Sequence, residues 1–383
     1  MRGRIVIPSQ PGGLYCSRHA RLLAGGTYAV LPIDEYDDEV VAYYDVGRMN
    51  VACGECGSLN FEKEKVGRPL HYNICCHNGK AAEVAPLPEA PELLQELLSS
   101  KSKRSRHFQE HIREFNAAVA FVSFGHNYAA PPGHGPQVFR ILGGVYHMSS
   151  KLLPDKGRDP KYAQLYLYDP AVALGLRATQ HPKLDRKILK DLDEMLVNVR
   201  NPYLAIYKHM HELSEVLAQD NPRCIKMGFS SSKETDMRRY NHPTAREVAA
   251  VFVSQDGAPP SNRDIVVWPR EEACFRISEI SEYIDPLTYV LLLPSGTPGW
   301  HPDLKQREDR RGKVRDRLTT LQFYAPRLMV YNEERRGYGG PQLLPHGAGL
   351  LFQQYIVDVY CRAEAQRLFY IRQNQEKLRS ESY

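Results

Sequence analysis

Two cysteines set two residues apart, Cys53-Gly-Glu-Cys56, are followed after an eighteen-residue interval by Cys75-Cys76-His77. A C-x2-C turn offers two thiolates to one metal ion, and a second pair completes the tetrahedron of a structural zinc site. The interval suits two zinc half-sites. The second half fits less well, because neighbouring residues of extended backbone point to opposite faces and Cys75 and Cys76 cannot both reach one ion from a strand. His77, His71, or the upstream pair Cys16 and His19 (itself a C-x2-H) are therefore candidate substitutes for one of them. A site closed by four such ligands stabilises a fold and leaves no open position for substrate. The bland alternative is four buried, reduced thiols, since free cysteine is among the most buried residue types.

Basic runs are the second source of chemistry. Lys101, Lys103, Arg104 and Arg106 fall within six residues that hold no acid. Between Lys305 and Arg317, seven cations, with Arg310, Arg311, Lys313 and Arg315 at the centre, face Glu308, Asp309 and Asp316, an excess of four charges. Such patches release counterions from a phosphate backbone and bind without reading sequence. The competing reading pairs those acids with the arginines along an exposed helix, as a solvated face. His209-Met-His211 has the look of a metal-binding His–hydrophobe–His triplet. It lies in a stretch with helical spacing, however, where residues two apart point in nearly opposite directions and cannot share one ion.

No G-x-x-x-x-G-K-[ST] is present, so the chain carries no P-loop for ATP, and neither G-x-S-x-G nor H-E-x-x-H occurs. The expected chain is non-catalytic. Its 383 residues, 42% hydrophobic and 25% charged, describe a folded multi-domain protein. A formal net charge of +5 is too small to identify a nucleic-acid partner by itself, so the clustering of charge matters more. No run of 18 apolar residues exists for a membrane-spanning helix, and Pro8 interrupts the start before a signal-peptide core. An intracellular setting follows, in which eight cysteines, four of them between Cys53 and Cys76, indicate metal before disulfides.

The elements that must position these residues suggest an α+β fold in four parts. Residues 1–84 form a short-stranded, Cys-rich, zinc-finger-like module, closed off by the stiff Ala85-Pro-Leu-Pro-Glu-Ala-Pro91. Residues 93–219 form an α+β unit. It holds a short helix over Leu93–Leu98 and strands at Val138–Leu142, Val145–Met148 and Gln164–Tyr168. A helix over Asp185–Val199 follows, with Ile188, Leu189, Leu192, Met195 and Leu196 on one face. Residues 245–331 are mostly β, with strands at Val248–Ser254, Asp264–Trp268, Phe275–Ile280 and Tyr289–Leu293. From Leu350 to Tyr383 there is no Gly or Pro. Phe352, Tyr355, Ile356, Val359, Ala363, Leu368 and Ile371 there mark one long helix of about 45–50 Å.

Several strings, taken in order, resemble one family, the Helitron transposase-helicases of rolling-circle transposons. They include Cys53-Gly-Glu-Cys56-Gly-Ser-Leu-Asn-Phe-Glu62 with Cys75-Cys-His-Asn-Gly-Lys80, then Tyr162-Ala-Gln-Leu-Tyr-Leu-Tyr168 and Arg246-Glu-Val-Ala-Ala-Val-Phe252. Asp285-Pro-Leu-Thr-Tyr-Val-Leu-Leu-Leu-Pro294 and Leu351-Phe-Gln-Gln-Tyr-Ile-Val-Asp358 continue the series. The resemblance runs from about residue 44 to the last residue. It implies the N-terminal, non-catalytic portion of such a transposable-element protein, upstream of its helicase-like and nicking domains. The family's His–hydrophobe–His site, paired catalytic tyrosines and helicase motifs have no counterparts here. Tyr355, Tyr360 and Tyr370 are not those tyrosines. What the resemblance carries over is a structural zinc at Cys53, Cys56, Cys75 and Cys76, and a DNA partner, single- or double-stranded, in the nucleus. Tyr44 stands where relatives often have a His, and Gly144 where Gln is common. The alternative expectation is a truncated or domesticated remnant that serves as an interaction protein without DNA.

Overall fold

A computed structural model of the chain describes residues 47–66, 71–81, 84, 87–128, 141–150, 154–155, 157–208, 275–306, 317–331 and 343–378, with short strands elsewhere. The chain divides into two units, Met1–Gly47 and Arg48–Tyr383, and the Cys cluster belongs to the larger one. In the smaller unit β1 (Arg4–Pro8) pairs antiparallel with β2 (Leu14–Arg18), and β3 (Arg21–Leu22) with β4 (Tyr28–Ala29).

The larger unit is α+β, as expected. It opens with two small antiparallel ribbons, β5 (Met49–Ala52) with β6 (Leu59–Phe61) and β7 (Lys65–Val66) with β8 (His71–Tyr72). Three short helices follow: α1 (Glu92–Ser99), α2 (Lys103–Glu110) and α3 (Ile112–Val119). Leu94, Leu97 and Leu98 recur at the three- and four-residue spacing that gives α1 one buried face. Ser102 caps α2 by accepting from the Ser105 amide at 3.0 Å.

Strands β9 (Ser123–Tyr128) and β10 (Ile141–Ser149) pair antiparallel with a bulge between Leu142 and Val145, where Gly143 and Gly144 sit. The two strand segments expected around that point are thus one bulged strand. After α4 (Pro170–Gln180) comes α5 (Arg186–Asn198), capped by Asp185, which accepts from Lys187 N and Ile188 N at 2.8 and 3.1 Å. Residues 202–208 are helical. Strands β11 (Cys224–Gly228), β12 (Ala250–Ser254) and β13 (Ile265–Val267) form a second sheet in the order β12-β11-β13, and β14 (Phe275–Arg276) pairs antiparallel with β10 on the side away from β9. Beyond them lie α6 (Ile284–Thr288), α7 (Thr320–Leu328) and α8 (Gly349–Gln373).

Two expected strands are not strands. Tyr162–Leu167 is a 3-10 helix whose Tyr166 hydroxyl donates to Val119 O at 2.6 Å. Tyr289–Leu293 is buried in turns: Leu292 N and Leu293 N both donate to Tyr289 O at 3.0 Å, and Asn116 of α3 satisfies two further backbone groups. Its Nδ2 donates to Thr288 O at 2.8 Å, and its Oδ1 accepts from Leu291 N at 3.1 Å. A short apolar run reads the same whether it is a buried strand or a buried turn. Around this run the core gathers Phe108, Phe115, Phe121, Leu192, Tyr203, Tyr324 and Leu351.

The long helix departs from expectation in two ways. It stops at Asn374, the C-cap residue, before a further turn over Gln375–Leu378. Its buried positions also include Asp358 and Arg362, while Ile356, Leu368 and Ile371 are exposed. Those two charges are buried because partners on other elements meet them. Arg362 Nη2 reaches Asp285 Oδ1 at 2.6 Å, Arg362 Nε reaches Asp358 Oδ1 at 3.2 Å, and His147 Nε2 lies 2.9 Å from Asp358 Oδ2. Tyr324 and Tyr355 both donate to Asp285 Oδ2, at 2.6 and 3.0 Å. The network thereby ties β10, α6, α7 and α8 together.

Candidate metal centre

Cys53 and Cys56 flank a tight turn after β5. Gly57 N donates to Cys53 O at 2.9 Å and Cys53 N to Ser58 O at 2.8 Å, while Gly57 takes φ +76°, a left-handed conformation natural to glycine. The second half is a turn as well, not extended backbone. His77, Asn78 and Gly79 all have positive φ, and the winding chain brings the adjacent Cys75 and Cys76 to the same side. The expectation that adjacent cysteines diverge therefore fails for a local reason. Gly79 (φ +83°) holds a left-handed conformation that strains any other residue, and its Cα lies beside the Glu55 side chain, whose carboxylate a Cβ would meet at 2.9 Å.

All four Sγ atoms lie within 4.8 Å of one another, and all four residues are buried. Cys53 Sγ is 3.8 Å from Cys76 Sγ, and Cys75 Sγ is 3.9 Å from Cys76 Sγ. A disulfide needs about 2.05 Å, so these thiols are not bridged. Four sulfurs at about 2.3 Å from a central ion stand about 3.8 Å apart in a tetrahedron. The Cys53–Cys76 and Cys75–Cys76 distances have that spacing, and the four cysteines could hold a metal ion.

Electrostatics favour the same conclusion. Hydrogen bonds from Cys56, Cys75 and Cys76 pull the Cys53 thiol far below its ordinary range, whereas the same crowding pushes Cys76 up, through Cys53 first and then Cys56 and Cys75. The same crowding brings Cys75 down to about 7 and pushes Cys56 up, so two thiolates form at the expense of their neighbours, and four buried negative charges need a cation among them. Supporting groups are in place. Gly79 N donates to Cys76 Sγ at 3.3 Å. Ser58 Oγ sits 3.3 Å from Cys56 Sγ and receives Asn60 Nδ2 at 3.1 Å, which leaves the Ser58 hydroxyl proton free for the sulfur once that sulfur is a thiolate.

Tyr72 and Tyr331 complete the cluster, with Val51 and Met329 packed against it. Ser58 forms an antiparallel bridge to Tyr331, and Leu59 N donates to Val330 O at 2.7 Å. The segment that follows α7 is thereby fastened to the thiol cage.

Of the substitute ligands, His77 is half-buried and stands outside the four-residue group, and burial lowers its imidazole pKa, with Lys80 adding to the effect. His71 lies on β8 and Cys16 on β2, where Cys16 pairs through its backbone with Val6. The side chains of both lie outside the described residues, as does the whole of His19.

The basic run at 101–106 begins α2. Lys101, Lys103 and Arg106 are exposed, but Arg104 bridges Glu96 of α1 at 3.2 Å and Asp191 of α5. Arg104 therefore joins three helices and is not a free cation. Arg310, Arg311, Lys313 and Arg315 lie outside the described residues. The ends of their run meet in a bridge between Lys305 and Arg317. His209 and His211 also lie outside them, directly after helical residues 202–208. Sequence reasoning missed Ser58, Asn60 and Tyr331, although Ser58 and Asn60 stand within four residues of Cys56. Among the described residues no helix is long and apolar enough to cross a membrane. No protein-family model matches the chain, and no curated protein matches it.

Proposed function

We propose that the chain is the non-catalytic N-terminal portion of a Helitron-type transposase-helicase, held by one structural zinc and binding transposon DNA in the nucleus during rolling-circle transposition. The observation that carries the reading is the four-sulfur cage, which falls on the cysteines of the strings resembling that family. Zinc is the ion of choice for an all-thiolate tetrahedron, and such a site is closed to substrate. DNA contact rests on Lys101, Lys103 and Arg106, three exposed cations around the start of α2 that make no ion pair among the described residues. The test has two readouts. Purified protein should carry about one zinc per chain, and it should bind unrelated DNA sequences with an affinity that falls steeply with salt. No zinc, with four titratable thiols in native protein, refutes the cage; salt-independent or absent DNA binding refutes the DNA role.

A second reading, a remnant that serves as an interaction protein, is favoured by one observation. Arg104, the central cation of the run, is spent on Glu96 and Asp191.

A further inference from the structure

Two basic segments some eighty residues apart in the chain flank one ion pair. Lys101, Lys103 and Arg106 are exposed around the start of α2, and Arg186, Lys187 and Lys190 are exposed along the first half of α5. Arg104 of α2 reaches the Asp191 carboxylate of α5, with side chains 29% and 26% exposed, so the helices meet at the surface. Lys187 stands one turn before Asp191 and Lys190 beside it. Even Arg186 is only five residues, about 7–8 Å of helix, from that pair. This is within a Debye length of about 8–10 Å, so both sets of cations act on the same polyanion.

The acids around them are largely engaged. Glu96 and Asp191 hold Arg104, Asp185 caps α5 through Lys187 N and Ile188 N, and Glu194 lies 3.5 Å from Lys190. Glu110 is the acid left exposed on α2. Lys101, Lys103, Arg106, Arg186 and Lys187 make no ion pair among the described residues.

A second observation is independent of the count. Neither α2 nor α5 has an acid in its first turn; Lys103 and Arg104 occupy one, Arg186 and Lys187 the other. The positive end of a helix dipole disfavours cations there. Placements that cost the fold stability are expected where they serve contact with another molecule. Free amides and cations together make a positive field that suits phosphate. No exposed Phe, Tyr or Trp stands on α2 or α5, so these helices offer bases nothing to stack on, as a single strand would require.

We propose that α5 is the second half of a duplex-DNA surface, with Arg186, Lys187 and Lys190 contacting phosphates beside those reached by Lys101, Lys103 and Arg106. This role of α5 rests on the nucleic-acid reading above.

The test titrates the full chain into two unrelated twenty-base-pair duplexes, and into one of their single strands, by fluorescence anisotropy over a salt series. Converting Arg186, Lys187 and Lys190 to Ala should lower the salt slope on either duplex by about two to three units, at about 0.9 per lost contact. Affinity should fall alike for both sequences. The variant should melt no lower than the parent, because two of its changes remove first-turn cations. Lys187→Glu, a single exposed change, should lower the slope by about one unit. A parental slope in both α5 variants, while alanines at Lys101, Lys103 and Arg106 reduce it, overturns the role of α5 and leaves the DNA reading standing. A parent that binds no duplex overturns both. Tighter binding of the single strand than of the duplex overturns the assignment to duplex DNA.

Discussion

Arg362 and Asp285, 77 positions apart, meet at 2.6 Å with their side chains 4% and 0% exposed. Arg362 also holds Asp358 one turn earlier on α8, so a single guanidinium compensates two buried carboxylates. Burial alone makes such charges costly, and the geometry offsets the cost only while every partner is present.

Replacing Arg362 with Met is therefore expected to cost about 3–5 kcal/mol, because Asp285 is left buried with two tyrosine hydroxyls and no guanidinium, and Asp358 with His147 alone. Urea unfolding of the larger unit measures it. The double variant that also converts Asp285 to Asn should recover part of the loss. A single variant within about 0.5 kcal/mol of the parent would show the pair to be unimportant.

Asp358 gives the network a pH dependence. Burial opposes its ionisation, but Arg362 and then His147 outweigh that and hold its carboxyl below the ordinary value. A depressed folded pKa contributes stability that is fully present above the unfolded value of about 3.9 and is lost as pH falls through the lower, folded one. Stability should thus decline below about pH 4, and Asp358→Asn should flatten that acid limb. Equal slopes in parent and variant between pH 4 and pH 2 would refute the assignment.

How much of this was legible beforehand differs by element. The C-x2-C marks Cys53 and Cys56, since its spacing is local and its chemistry specific, but the pair Cys75 and Cys76 stayed open until the positive-φ turn at His77 to Gly79 brought both to one side. Helices α1 and α5 show in the spacing of Leu94, Leu97 and Leu98 and of Ile188 to Leu196. Tyr289–Leu293 was not legible, because an apolar run reads alike as strand or buried turn, and Asn116, which bonds Thr288 O and Leu291 N beside the local turn bonds, lies more than 170 residues away. Asp358 and Arg362 interrupt an apolar stripe and look like ordinary surface charges until Asp285 arrives from α6 to meet them. Tyr331 belongs to the thiol cluster only through its bridge to Ser58, a relation no local pattern records.

That bridge predicts a distant effect of metal removal. Chelation, or Cys53→Ser, should loosen the turns that carry Cys53 to Gly79 and with them the backbone at 329–331. Hydrogen exchange of Leu59, whose amide donates to Val330 O at 2.7 Å, is the reporter. Exchange at that amide should rise with metal removal, while α5, whose apolar face lies in the main core, stays protected. Unchanged protection at Leu59 would mean the cage stands without its ion.

Ser58 separates a supporting group from a ligand. Its hydroxyl faces Cys56 Sγ at 3.3 Å and is itself held by Asn60. Ser58→Ala should keep one metal per chain but bind it roughly tenfold to a hundredfold more weakly, the usual effect of losing a group that supports a ligand. Competition with a chromophoric chelator reads the difference directly. An affinity equal to that of the parent would remove Ser58 from the centre.

The start of α2 offers the sharpest division between DNA contact and solvated surface. Lys103 occupies the first turn of the helix, where the dipole disfavours a cation, so alanine there costs the fold nothing. If Lys101, Lys103 and Arg106 touch phosphates, converting all three to Ala should weaken binding alike for unrelated sequences, because phosphate contacts carry no base information. Each lost contact lowers the salt slope by about 0.9 on duplex DNA, so the triple variant should lose about two to three units. Arg104→Ala is the internal control. Its guanidinium already serves Glu96 and Asp191 at 29% exposure, so this change should cost about 0.5–1 kcal/mol of stability and leave the slope alone. A triple variant with the parent's slope would leave these three cations as solvated surface, whatever the affinity.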